Sequence, residues 1–173
     1  MTDHSQLDAH VKRAWQSRKF SDGAKIDLGR TDDEQGFIVR PDGIFEVEVV
    51  ERGVRICSLG GGRKEERVYT RMNLKVLGSH AGGHTHPKGK DGRISQKPGP
   101  KDGHIARYLS RNGKPSYVIA NAGAYAVEWN GSAFDIRTLI GKRISGSVAR
   151  NISEQWVAAM AAAKPGAANR VCD

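Results

Sequence analysis

The run Gly78-Ser79-His80-Ala81-Gly82-Gly83-His84-Thr85-His86-Pro87 decides how the rest of the chain is read. Two histidines one residue apart on a strand face the same side and can reach one ion. Imidazole is a common metal ligand, although a hydrogen-bonded or surface histidine pair has the same spacing. A catalytic zinc takes three protein ligands and keeps one position open, so the pair calls for a third. Asp102 is the candidate. It opens a segment in which Ile105, Tyr108 and Leu109 recur at helical spacing, and a carboxylate is favoured at the positive N-terminal end of a helix. The same position suits a residue that only caps backbone N–H groups, so Asp102 alone assigns nothing.

Upstream of that centre, Leu7, Val11, Ala14 and Trp15 predict an amphipathic helix from Ser5 to Phe20, closed by Ser21-Asp22-Gly23. Gly36 to Arg40 and Ile44 to Val50 read as two strands of a hairpin bent at Pro41-Asp42-Gly43. Gly53 to Ser58 is a third strand. The following Leu59-Gly60-Gly61-Gly62 and the charged Arg63 to Arg67 read as a mobile surface loop, since no Gly-Lys-Ser or Gly-Lys-Thr follows to make a phosphate cradle. Asn73 to Gly78 is a short apolar run leading into the histidines.

Downstream, the helix opened by Asp102 ends at Asn112-Gly113. Ser116 to Ala120, Ala124 to Trp129 and Ala133 to Leu139 then read as strands, with a last helix near Ser153 to Ala163. This order predicts an α+β or α/β layered fold, a mixed central sheet flanked by helices. The 173 residues suffice for a single domain, 1–173, with an N-terminal helix in 1–24 and a flexible tail in 165–173.

A Glu ahead of a small-residue strand, then His-x-His-Pro, then Ser-x-x-Asp at a helix start form the JAMM signature. On Asp33-Glu34-Gln35-Gly36-Phe37-Ile38, Gly83-His84-Thr85-His86-Pro87 and Gly99-Pro100-Lys101-Asp102 the chain resembles the JAB/MPN zinc metallopeptidases, over roughly residues 33 to 129. The resemblance implies that family's cytidine deaminase-like architecture and a Zn2+ ion held by His84, His86 and Asp102. It also implies Glu34 as general base and acid on the water that the ion activates. Read without it, Glu34 is an exposed acid in the polar run Thr31 to Gln35, and Glu46, Glu48 and Glu51 are other candidates.

The implied reaction is hydrolysis of a peptide or isopeptide bond, as in bacterial and eukaryotic proteins that process or remove ubiquitin-like proteins; other members are toxin or effector domains. One position departs from the pattern. The family's Ser falls on Gly99, which has no hydroxyl, and aligning Ser95 with it instead puts Pro98 where the ligand belongs. An expanded loop keeps Asp102 as ligand and makes Ser95 the substitute oxyanion donor. Loss of one such donor costs about 2.7–4 kcal/mol of barrier lowering, which leaves a catalytically weak metal-binding or protein-interaction module as the alternative. His80 and His104 lie near the proposed ligands as supporting or solvated residues. A cupin-like barrel shares the histidine pair but needs a Glu shortly after it, where Lys90 and Asp91 stand, and the helices sit poorly in an all-β barrel.

Lys and Arg outnumber Asp and Glu by 28 to 19, and the formal charge of +9 favours an acidic partner. The expected one is a ubiquitin-like protein whose extended C-terminal tail adds a strand to an exposed sheet edge, with Lys88 to Lys101 as a lid or a solvated basic loop. Nucleic acid is the lesser expectation. Basic residues are scattered through Lys12, Arg13, Lys64, Arg67, Lys88, Lys97 and Arg143, and only 6% of residues are aromatic. Cys57 and Cys172 form no disulfide framework, which fits a reduced compartment. With no apolar leader in MTDHSQLDAH and no run of about eighteen apolar residues, a cytoplasmic protein without a membrane partner is expected, signal-independent export staying open.

Overall fold

The computed structural model describes residues 4–20, 25, 26, 28, 35–46, 51–59, 61–71, 80–86 and 100–162. In order these form α1 (Ser5–Ser17), β1 (Gly36–Val39), β2 (Phe45–Glu46), β3 (Glu51–Leu59), β4 (Arg63–Arg71), β5 (Ala81–His86), α2 (Pro100–Arg111), β6 (Ser116–Ala120), β7 (Gly123–Trp129), β8 (Phe134–Gly141) and α3 (Gly146–Ala162). Six strands make one sheet in the order β2-β1-β5-β6-β7-β8, and β3 pairs with β4 in a separate two-stranded ribbon. Within the sheet β5 and β6 run parallel and the other neighbours antiparallel. The chain is therefore α+β with a mixed sheet.

Helices cover both faces of the sheet, which is why its central strands read as unbroken apolar runs such as Tyr117 to Ala120. Under α1, residues Leu7, Val11, Ala14 and Phe20 pack with Phe37, Val39, Tyr117, Ile119, Ala124 and Ala126. On the opposite face Ala106 of α2 and Ile152 and Trp156 of α3 pack with Val118, Ala120, Tyr125, Val127 and Phe134. A third cluster joins Ile38 of β1 to Ile105 and Leu109 of α2.

The α1 helix stops three residues short of the expected Phe20. Arg18 takes a left-handed conformation at φ 56°, its guanidinium lies over the Trp15 ring, and its carbonyl accepts the Ile26 N–H. Phe20 is thereby freed to meet Phe37 and Phe45, with ring centroids 5.4–5.6 Å apart. A polar tie also fixes α1 to the sheet: Asp8 accepts from the Tyr117 hydroxyl at 2.8 Å and from Arg137 at 2.9 Å. Burial, reinforced by Asp8, holds the Tyr117 hydroxyl far above its usual range.

Two expectations need correction. The charged run after the glycines is not a loop: Arg63 to Arg71 returns as β4, in register with all of β3 from Leu59↔Arg63 to Glu51↔Arg71. Gly61 and Gly62, at φ 78° and 77°, form the reversal, and high charge misled because a ribbon exposed at its tip needs no apolar alternation there. The last helix begins at Gly146 rather than Ser153. Its first turn leaves Val148 exposed, so periodicity is invisible until Ile152 and Trp156, while the Ser145 hydroxyl accepts the Val148 N–H. The Asn73–Gly78 run and the 165–173 tail lie outside the described residues. Among the described residues no helix is long and apolar enough to cross a membrane.

Candidate metal centre

Every residue of β5 is buried. Its neighbours fix which way each side chain goes: Gly36↔His84 and Ile38↔Gly82 across to β1, His84↔Val118 and His86↔Ala120 across to β6. Ile38, Val118 and Ala120 belong to the α2/α3 side, so strand alternation puts His84 and His86 on that side too. The two imidazoles are 2% exposed each, with ring centroids 4.9 Å apart and Nε2 atoms 3.0 Å apart. The two imidazoles thus lie on one face and approach each other.

Thr85, between them, faces the other way and is fully buried. Its Oγ1 accepts the Gln35 N–H at 2.8 Å, and its own N–H donates to the Gln35 carbonyl at 3.0 Å. This two-way tie pins the centre of the histidine strand to the residue just before β1. Sequence reading passed over Thr85 as the spacer of His-x-His; the usable signal was its parity, opposite to the histidines in a strand with both faces covered. Gly83 was quoted there only as the residue before His84. A Cβ there would stand 2.1 Å from the Tyr117 carbonyl oxygen, so the backbone of β6 approaches too closely for any side chain.

The helix α2 lies in the connection between the parallel strands β5 and β6. Asp102 is its third residue. Ile105, one turn later on the same helix face, packs against Ile38, the β1 residue next but one to the partner of His84. Asp102 lies in the first turn of α2, and its side chain, like that of His104, lies outside the described atoms. Glu34, Ser95 and Gly99 lie outside the described residues. His80 is half-buried just ahead of β5.

Two zinc-bound nitrogens at about 2.0–2.1 Å in tetrahedral geometry stand about 3.3 Å apart, close to the separation of the two Nε2 atoms. The same separation fits an N–H to lone-pair hydrogen bond between neutral imidazoles. Among the described residues no three His, Cys, Asp or Glu side chains converge. Among the described residues the donor set is two convergent nitrogens, a pair that fits zinc and calls for a third ligand. Compared with known proteins, the chain matches no family model, no curated protein and no solved structure.

Proposed function

We propose that the chain is a zinc-dependent hydrolase of the JAB/MPN type that cleaves a peptide or isopeptide bond, with a ubiquitin-like protein as its substrate. The observation that carries this reading is the 3.0 Å approach of the His84 and His86 Nε2 atoms on a buried strand. In support, Asp102 occupies the first turn of the helix that starts beyond that strand, where a carboxylate is favoured. Glu34 is the sequence neighbour of Gln35, which is bonded in both directions to the residue between the two histidines.

In this reading His84, His86 and Asp102 hold the ion. Zinc at such a site polarises a carbonyl and lowers the pKa of water. Glu34 collects the proton released by the attacking water and delivers it to the leaving amine. Ser95 donates to the oxyanion in place of the hydroxyl missing at Gly99. The Thr85 tie and the close packing of Gly83 on Tyr117 hold the two imidazoles in fixed orientation, which limits the reorganisation needed on ligation.

Elemental analysis of the purified chain tests it. About one zinc per chain is expected, lost in His84→Ala, His86→Ala and Asp102→Ala. Glu34→Gln should keep zinc while cleavage of an isopeptide-linked ubiquitin-like substrate falls by about 10²- to 10⁴-fold. Equal zinc content in wild type and all three ligand variants would leave a hydrogen-bonded histidine pair and remove the enzyme reading.

A further inference from the structure

Basic residues that look scattered in sequence come together on the β3–β4 ribbon. Between Glu51 and Arg71 the chain carries Arg52, Arg55, Arg63, Lys64, Arg67 and Arg71 against Glu51, Glu65 and Glu66, a surplus of three out of nine for the whole protein in 21 of its 173 residues. Register and alternation sort them by face. Arg55, Arg63, Arg67 and Arg71 occupy positions of one face with Glu51 and Glu65, whereas Arg52 and Lys64 occupy positions of the other with Glu66, Val54, Ile56 and Val68.

Arg55 stands directly opposite Arg67. Like charges at directly paired positions disfavour the pairing, which an anion bound at the ribbon would relieve. The tip from Gly61 to Glu66 is exposed, and Ile56 is 64% exposed. Among the described residues the ribbon pairs with no other strand, and its nine residues per strand extend about 30 Å.

We propose that this ribbon is an arm that binds duplex nucleic acid. A two-stranded ribbon fits the major groove of B-form DNA, about 12 Å across, and arginines on both of its faces suit the phosphates that border the groove. Five of the six cations are arginine, whose planar fork matches phosphate oxygens. A single strand is a poorer match, because Tyr69 is the one aromatic residue of the ribbon on which a base can stack. The inference goes beyond the hydrolase reading and does not depend on it.

The test is fluorescence anisotropy of the full chain with a labelled mixed-sequence DNA duplex, titrated across a salt series. Wild type should bind with a log–log salt slope that becomes shallower by about 0.9 for each phosphate contact removed. Arg63→Gln/Lys64→Gln and Arg55→Gln/Arg67→Gln should each weaken binding and flatten the slope, with far-UV dichroism and thermal midpoint unchanged. Lys142→Gln/Arg143→Gln, which removes the same charge from an exposed site elsewhere, should do so far less. No duplex binding at low salt, equal losses from both charge sites, or tighter binding of single strands or polyglutamate would overturn the proposal, the last pointing to an acidic protein partner.

Discussion

Replacing Gly83 with Ala tests the packing that orients the histidine strand. The added Cβ would lie 2.1 Å from the Tyr117 carbonyl oxygen, 2.7 Å from its carbon and 2.9 Å from the Phe37 ring, whereas ordinary contact begins near 3.4 Å. Relief therefore needs β5 and β6 to part by more than 1 Å, and the obstacle is backbone, which cannot change rotamer. Overpacking of this kind costs about 1–3 kcal/mol, and each ladder hydrogen bond weakened by the separation adds about 0.5–1.5 kcal/mol. A total near 3 kcal/mol lowers the thermal midpoint of a chain this long by about 6–12 °C. Scanning calorimetry of Gly83→Ala should show that drop. Gly146→Ala, where an added Cβ meets nothing within 4 Å, should stay within about 0.5 kcal/mol of wild type. Equal midpoints for the two variants would refute the close-approach argument.

Three further outcomes follow from the packing. Tyr117 has its ionisation raised from the ordinary value of 10.0 by burial and then by Asp8, so the folded chain keeps its proton at pH values where the unfolded chain releases it. Its stabilising contribution is complete below pH 10 and is lost as pH rises above that; urea titrations from pH 9 to 11 should show wild type losing up to about 1.4 kcal/mol per pH unit more than Tyr117→Phe. Ser153→Ala removes the hydroxyl that accepts the buried Phe134 N–H at 2.8 Å, and denaturant unfolding should record a loss of about 1–3 kcal/mol. Trp156→Ala should cost about 3–5 kcal/mol in the same assay, and Trp156→Phe should recover the larger part, because the indole N–H has no hydrogen-bond partner among the described residues while the ring packs edge-on against Phe134.

The sheet was legible wherever strands are buried on both sides. Ser116 to Ala120 matched residue for residue, and β1 ran one residue shorter than read, because β propensity and burial there point the same way. Element ends were less so: the stop of α1 depends on a left-handed arginine, and the start of α3 on an exposed turn, neither of which periodicity registers. The β4 strand was hidden because its exposed start, Arg63 to Glu66, carries charge rather than the apolar alternation by which strands are read. At the candidate site the shared orientation of His84 and His86 followed from their spacing, since a strand allows no other. The roles of Thr85 and Gly83 did not, because both arise from contacts to Gln35 and Tyr117, distant in sequence.

Val39 pairs with Phe45 on one side and Ala81 on the other, so the sheet passes from β2 through β1 to β5 without a break, although the chain between those two partners makes an excursion of 35 residues that includes the ribbon. Topologically that excursion is an insert into a finished framework. The length and charge of that excursion can therefore change without disturbing the β1–β5 register, which the Gln35–Thr85 tie holds from the other end of β1.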